Sequence, residues 1–222
     1  MKNQGSRITV IGSYAVGMTM GSERMPGPGE TILGRDFRQL HGGKGSNQAI
    51  GVSRLGGTSF YGGCIGTDML GDNALEKLRE EGVNTDSVKR TSEASTGVGF
   101  VMVEESGDNR IIIDFGANNF LYPEDIRKME GIIEGSSYLL LQLEINIAAV
   151  EEAVRLAAAK GVPVILNPAP FQRISDEVLE MVTYLTPNEG EAALLLGENK
   201  SDLTSQEMCD ELFARYKTRV IV

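Results

Sequence analysis

A glycine-rich turn at residues 41–50 carries the side chains best suited to bind a ligand. Its sequence is His-Gly-Gly-Lys-Gly-Ser-Asn-Gln-Ala-Ile, and a helical pattern begins at Ser46. A helix start leaves backbone N–H groups unpaired and carries the positive end of the helix dipole. Glycines let a ligand approach that backbone closely, while Lys44 adds charge and Asn47 adds a hydrogen-bond donor and acceptor. The turn therefore predicts a site for a polar or anionic small molecule; the alternative is a turn that only begins a helix.

Two known phosphate-binding patterns can be compared with this turn, and neither matches. A Walker A loop needs Ser or Thr directly after Gly-Lys, but Gly45 follows Lys44, and Arg38 occupies the position of the early glycine. A Rossmann fingerprint accommodates Gly43 and Gly45 but finds Gln48 in place of its third glycine. The turn is therefore not a standard nucleotide loop.

The composition limits the class of partner. The chain has 222 residues and a formal net charge of −10, with 21 Lys and Arg against 31 Asp and Glu. This acidity argues against a nucleic-acid or membrane-surface partner, although a local nest of N–H groups can still bind an anion. No apolar run of the sequence approaches the ~20 residues needed to cross a bilayer. Two cysteines far apart, Cys64 and Cys209, indicate a reducing, cytoplasmic location.

Hydrophobic periodicity predicts an α/β fold around the turn. From Tyr138 onward, strands and helices alternate, which indicates parallel strands with helices on both faces of a doubly wound sheet. Two β-rich segments, about residues 14–40 and 95–115, do not fit that alternation and predict a separate β lobe. The predicted strands are 8–11, 59–65, 98–103, 111–115, 138–143, 162–166, 184–186 and 219–222. The predicted helices are 46–55, 72–81, 123–133, 147–160, 176–182, 189–196 and 206–216.

The segment His41–Ala49 resembles the first signature of the ribokinase-like (PfkB) carbohydrate kinases. Further segments resemble that family's motifs in the same order: Pro28-Gly29-Glu30-Thr31, Gly97, Gly116-Ala117-Asn118, Gln142-Leu143-Glu144, Asn167-Pro168-Ala169-Pro170 and Thr186-Pro187-Asn188-Glu189-Gly190-Glu191. The resemblance covers essentially the whole chain and is greatest to the ribokinase pattern. It implies one mostly parallel, doubly wound α/β domain over residues 1–222, with a small β-sheet lid from about 14–40 and 95–115.

The resemblance also implies a sugar site. Gly43, Lys44, Asn47 and Glu144 would bind sugar hydroxyls, which pair well with amide and carboxylate groups. The implied reaction transfers the γ-phosphate of ATP to a primary hydroxyl of a pentose such as ribose, or of a related sugar. The implied partners are the sugar and ATP, with a homodimer formed through the β lid. On the residues alone, the favoured interpretation of Glu144 is an acid that stabilises a helix start.

The resemblance also implies a nucleotide site at the motif of residues 186–191. Asn188 and Glu191 would lie beside the ATP phosphates and Mg²⁺, with Glu191 acting on the metal through water. A monovalent cation would also bind the complete protein. The alternative from the residues alone is that Asn188 caps a helix and Glu191 is a helix-start acid.

Two departures from the family pattern affect the expected activity. The asparagine and aspartate expected after the first strand, where the aspartate grips two sugar hydroxyls, are Ala15 and Gly17, so the identity of the sugar is open. The family's catalytic motif Asp-Thr-x-Gly-Ala-Gly-Asp is not found, and its aspartate base is expected beyond Val222. We therefore expect a C-terminally incomplete chain that is inactive alone. A non-catalytic sugar-binding or regulatory protein, or a nucleoside kinase, is the alternative.

Overall fold

The computed structural model describes residues 6–197 and 202–220. The strands are β1 Arg7–Ile11, β2 Ala15–Ser22, β3 Gly34–Gly42, β4 Thr58–Gly66, β5 Asn84–Thr91, β6 Gly97–Glu104, β7 Asn109–Asp114, β8 Tyr138–Gln142, β9 Val164–Asn167, β10 Tyr184–Leu185 and β11 Arg219–Val220. The helices are α1 Lys44–Arg54, α2 Met69–Glu80, α3 Pro123–Lys128, α4 Glu130–Glu134, α5 Ile147–Ala159, α6 Asp176–Leu179, α7 Glu189–Leu196 and α8 Ser205–Tyr216, with a 3₁₀ helix at Gly116–Phe120. The predicted last strand extends to residues 221–222, which lie outside the described residues.

The larger sheet has seven strands in the order β11-β10-β9-β8-β1-β4-β5. Every neighbouring pair in it is parallel, and helices connect the strands. The predicted doubly wound α/β fold is confirmed. Because β1 lies between β4 on one side and β8 on the other, the loops that follow β1 and β8 separate at the carboxyl edge of the sheet. Such a switch in strand order opens a crevice, which is where ligands bind in folds of this kind.

The smaller sheet, called the lid here, has four strands in the order β3-β2-β6-β7. Strands β2 and β3 and strands β6 and β7 are antiparallel pairs, whereas β2 and β6 are parallel. These strands come from the two segments that were predicted to form a β lobe. The turn between β6 and β7 contains Gly107, whose φ of 91° suits a hairpin.

The predicted elements differ from the observed ones in several places. Strand β5 was missed because its sequence, Asn-Thr-Asp-Ser-Val-Lys-Arg-Thr, is polar. It is the last strand at one edge of the sheet, and of its residues only Thr85 and Thr91 are buried. The predicted helix 123–133 is interrupted at Met129, between α3 and α4. Helix α1 begins at Lys44 rather than Ser46, which brings the glycine turn into its first residues.

Two apolar clusters pack on the larger sheet, one on each face. One cluster includes the buried face of α5, where Ala149, Ala153 and Ala157 recur every four residues and allow close approach to the strands. The other includes Ala74 and Leu78 of α2 together with lid residues such as Val16, Met18 and Val98. The base of the lid therefore shares an apolar cluster with α2. Among the described residues, no helix is long and apolar enough to cross a membrane.

Asp68 joins the start of α2 to Thr96, the residue directly before the lid strand β6, by hydrogen bonds. It caps α2 by accepting from the Gly71 N–H at 2.8 Å, and it accepts from the Thr96 N–H at 2.7 Å and the Thr96 hydroxyl at 2.8 Å. Burial by itself would raise the pKa of the Asp68 carboxyl, but the hydrogen bonds from Thr96 and Gly71 outweigh it and lower the pKa. The ionised form is therefore the one that the fold stabilises.

We expect Asp68→Asn to remove part of the acid sensitivity of the fold. An unfolded aspartate has a pKa of about 3.9, so a lowered folded-state pKa contributes stability above that pH, and this is lost as pH falls through the folded-state value. The gap in unfolding free energy between wild type and variant should be largest above about pH 5 and shrink towards pH 3, as measured by urea unfolding. The exposed Asp210→Asn is the control, and a gap that is constant with pH would contradict the assignment.

Candidate functional site

The site lies where the loops after β1 and β8 separate. Glu144 follows β8, and its Oε2 accepts a hydrogen bond from the hydroxyl of Ser13, which follows β1. The same Oε2 accepts from the backbone N–H of Lys44 at 2.9 Å, and Oε1 is 3.7 Å from the Lys44 Nζ. The Glu144 side chain is 15% exposed. A largely buried carboxylate thus occupies the start of α1, where the helix dipole favours negative charge.

Close backbone packing holds the glycine turn in this position. Gly43 precedes α1 with φ of 101°, in the region that favours glycine. A Cβ on Gly45 would lie 2.6 Å from the Gly12 carbonyl carbon and the Ser13 nitrogen, so the two backbones meet directly. The Ser46 N–H also donates to the Ser13 carbonyl at 2.9 Å. The turn therefore serves to fix the start of α1 against the end of β1.

A cavity of about 210 Å³ lies between this turn and the lid. Its polar lining side chains are Ser13, Asn118 and Glu144. The rest of its lining is glycine or apolar: Ala15, Gly17, Gly42, Gly43, Gly99, Val101, Ile111, Ile113 and Phe115. The cavity therefore has a polar wall at the edge of the larger sheet and an apolar wall on the lid, a pattern typical of sites for small polar molecules.

Asn118 connects the lid to the floor of the cavity. It is fully buried, and its Oδ1 accepts from the Tyr14 N–H at 2.9 Å. Its Nδ2 donates to the carbonyl groups of Tyr14, at 2.8 Å, and Phe115, at 2.7 Å. Both ends of its amide are thus used to hold the backbone between β1 and β2 against the end of the lid.

Sequence reasoning missed the role of Gln142 and Gln48. Gln142 is fully buried at the end of β8, and its Nε2 donates to the Gln48 Oε1 of α1 at 2.5 Å. Its Oε1 has no hydrogen-bond partner among the described residues, and a Cβ on Gly12 would lie 1.9 Å from that oxygen. The signal in the sequence was one amide at the end of an apolar strand. The pair ties α1 to β8 directly beneath Glu144.

The four residues assigned to the sugar by resemblance lie in one region of the structure. Gly43 and Glu144 line the cavity, and Lys44 contacts Glu144 through both its backbone and its ammonium group. Asn47 lies one turn along α1, where its N–H donates to the Gly43 carbonyl at 3.0 Å, and its side chain is exposed. Gly43 and Lys44 therefore lie beside the Glu144 carboxylate, whereas the Asn47 side chain is on the exposed surface of α1 and does not line the cavity.

The two residues assigned to the nucleotide form a helix cap. The Asn188 Oδ1 accepts from the Glu191 N–H at 2.8 Å, while the Glu191 Oε2 accepts from the Asn188 N–H at 2.9 Å. This reciprocal capping box begins α7, directly after β10. The strand β10 is two positions from β8, so at about 4.8 Å per strand the two ends lie roughly 10 Å apart. No cluster of three His, Cys, Asp or Glu side chains suited to a metal occurs in the described part of the chain.

A parallel α/β sheet, with a carboxylate in its switch-point crevice and a separate β lid above it, is an architecture typical of proteins that bind small polar molecules. The chain belongs to the pfkB family of carbohydrate kinases, whose sequence profile matches residues 6–222. The family resemblance found in the sequence is therefore confirmed.

Individual relatives agree with this assignment. The chain is 37% identical over 206 residues to a ribokinase of Haemophilus influenzae, covering 93% of this chain and 67% of the relative. It is 40% identical over 207 residues to a ribokinase of Schizosaccharomyces pombe, covering 90% and 65% of the two chains. A solved Arabidopsis thaliana ribokinase, complexed with ribose and ATP, has a TM-score of 0.84 and 30% identity, covering 97% of this chain and 70% of that one. This chain spans about two thirds of the length of the curated relatives it matches.

Proposed function

We propose that this protein is an ATP-dependent sugar kinase that transfers the γ-phosphate to a primary hydroxyl of a pentose such as ribose, or of a related sugar. The observation that carries the proposal is the Glu144 carboxylate, held by Ser13 and Lys44 on the polar wall of a cavity under the lid. The proposal is supported by family membership and by the Arabidopsis ribokinase, which is complexed with ribose and ATP.

The sugar side of the reaction depends on Glu144. Its Oε2 already accepts from Ser13 and the Lys44 N–H, which leaves Oε1 to accept from a sugar hydroxyl. Hydrogen bonds to a carboxylate are about twice as strong as neutral ones, so a single carboxylate can fix the orientation of a sugar. Lys44 balances the charge, and Gly43 and Asn47 complete the proposed sugar-binding set. A closed lid would also keep water away from the acceptor hydroxyl.

The nucleotide side is assigned to Asn188 and Glu191. The Glu191 oxygens accept hydrogen bonds from Asn188, and each retains lone-pair capacity. This donor set suits a hydrated Mg²⁺ held through water, since Mg²⁺ prefers oxygen ligands and keeps several of its waters. When bound, Mg²⁺ would neutralise charge on the ATP phosphates. A bound monovalent cation is part of the same proposal.

Calorimetric titration of the chain with D-ribose, other pentoses, hexoses and nucleosides tests the proposal. Binding is the chosen readout because the residues assigned to the sugar all lie within the described structure. We expect saturable one-site binding of at least one pentose. A chain that is folded by circular dichroism but binds no sugar would reject the proposed function.

The proposal includes a homodimer formed through the lid. The exposed side chains Met20, Phe100 and Ile112 lie on three adjacent strands, and Phe100 and Ile112 are paired across β6 and β7. A patch of this kind on an unpaired sheet face suits a second copy of the same surface. Sedimentation analysis should show a dimer that Phe100→Ser weakens, and a chain that is monomeric at every concentration would contradict it. The free Cys64 and Cys209 support the proposed cytoplasmic location.

A further inference from the structure

Two glycines on the lid wall of the cavity are required neither by their conformation nor by packing. A Cβ on Gly17 would have only the Leu40 carbonyl oxygen nearby, at 3.7 Å, and a Cβ on Gly99 only the Ile113 Cγ1, at 3.8 Å. Neither glycine has a positive φ. This contrasts with Gly43 and Gly45, where an added Cβ would lie within 3 Å of backbone atoms. Because they have no side chains, Gly17 and Gly99 leave free volume on the lid side of the cavity, and they place no polar side-chain group there.

The hydrogen-bonding capacity of the cavity is confined to the opposite wall. Among the described side chains that line it, Asn118 uses both its oxygen and its NH₂ group on backbone atoms, and the Ser13 hydroxyl donates to Glu144. The acceptor capacity that remains for a ligand is greatest at the Glu144 carboxylate, and the Ser13 and Asn118 oxygens belong to the same wall. The lid wall offers Gly17 and Gly99 beside apolar side chains, none of which can pair with a hydroxyl.

We infer that the substrate is a deoxy sugar, which lacks a hydroxyl on the edge that faces Gly17 and Gly99. The inference rests on the proposed function and specifies its substrate class. A hydroxyl placed against this wall gives up its hydrogen bonds to water and receives none in return, which opposes binding. A C–H edge at the same place loses nothing polar and gains contact with the apolar wall. The opposite edge of the sugar keeps its hydroxyls for Glu144.

Calorimetric titration of the chain with D-ribose, 2-deoxy-D-ribose and 3-deoxy-D-ribose tests this inference. We expect one of the deoxy sugars to bind at least fivefold more tightly than ribose, and the carbon concerned identifies the edge that faces the lid. If ribose binds and the removal of either hydroxyl weakens binding, the inference is overturned and the proposed function stands. If none of these sugars nor any other binds to the folded chain, the proposed function itself fails.

A matched pair of variants tests whether Gly17 causes the preference for a deoxy sugar over ribose. Gly17→Ser places a hydroxyl on the lid wall, whereas Gly17→Ala adds volume without a polar group, and the free space around the Cβ allows both to fold. Relative to Gly17→Ala, Gly17→Ser should shift the affinity ratio at least fivefold in favour of ribose. Equal ratios for the two variants would overturn the assignment to Gly17. Thermal melting of both proteins verifies that each is folded.

Discussion

A chain that carries Glu144→Gln is expected to lose sugar affinity by about 10- to 100-fold while it remains folded. The amide keeps the shape of the side chain and can still accept from Ser13 and the Lys44 N–H. It loses the negative charge, and with it the strength of a charge-assisted hydrogen bond to the sugar, which is worth about 1.5–3 kcal/mol. It also presents an NH₂ donor either to the sugar or to the Lys44 ammonium, which now lies 3.7 Å from Glu144 Oε1.

Calorimetry with the sugar that the wild-type chain binds best measures this loss. Glu177→Gln is the matched control, because it makes the same change at an exposed position on α6 and should leave affinity within twofold. Thermal melting distinguishes lost binding from lost folding. A Glu144→Gln chain that keeps wild-type affinity would show that the carboxylate does not bind the sugar.

The substitution Gly45→Ala is expected to destabilise the fold by about 3 kcal/mol or more, as overpacking against rigid atoms does. The added methyl would lie 2.6 Å from backbone atoms of Gly12 and Ser13, and neither can move as a flexible side chain could. Relief requires α1 to withdraw from β1. That movement would pull the Lys44 N–H away from Glu144, so sugar binding should fall as well.

Gly51→Ala, in the same helix, is expected to stabilise the fold rather than destabilise it. A Cβ at Gly51 meets nothing within 4 Å, so alanine should stabilise the chain by about 0.5–1 kcal/mol through its higher helix propensity. Urea unfolding of the two variants measures how the same substitution changes the unfolding free energy at a tightly packed position, Gly45, and at an open one, Gly51. If Gly45→Ala unfolds within 0.5 kcal/mol of the wild type, the close contact between α1 and β1 is wrong.

The glycine turn shows how far local reasoning extends. Its residues predicted a helix start with free N–H groups and an anionic or polar ligand, and α1 does begin there. The charge that lies at this helix start is nonetheless the protein's own, because Glu144 accepts from the Lys44 N–H. The local sequence indicates that an N–H group at the start of a helix has no partner within that helix. It does not indicate which distant residue will accept a hydrogen bond from that group.

The motif at residues 186–191 gives the complementary case. An asparagine followed three residues later by a glutamate is typical of a capping box, and Asn188 and Glu191 form its two hydrogen bonds in the structure. These contacts depend on a single turn of helix, so the alternative interpretation as a helix cap is confirmed. A role for the same residues towards ATP and Mg²⁺ stays a proposal.

Features that depend on near neighbours could be predicted from the sequence: the alternation of strands and helices, the helix cap at Asn188 and the glycine turn. Contacts that depend on strand order could not, because that order is set by tertiary packing. Ser13 and Glu144 are 131 residues apart, and Gln48 and Gln142 are 94 residues apart, yet each pair is joined by a hydrogen bond. The pairing of β8 with β1 brings these residues together. The lid then places Gly17 in the wall of the cavity that also contains the Glu144 carboxylate. Spacing along the chain carries no record of such contacts, because they form between surfaces that exist only after the sheet has assembled.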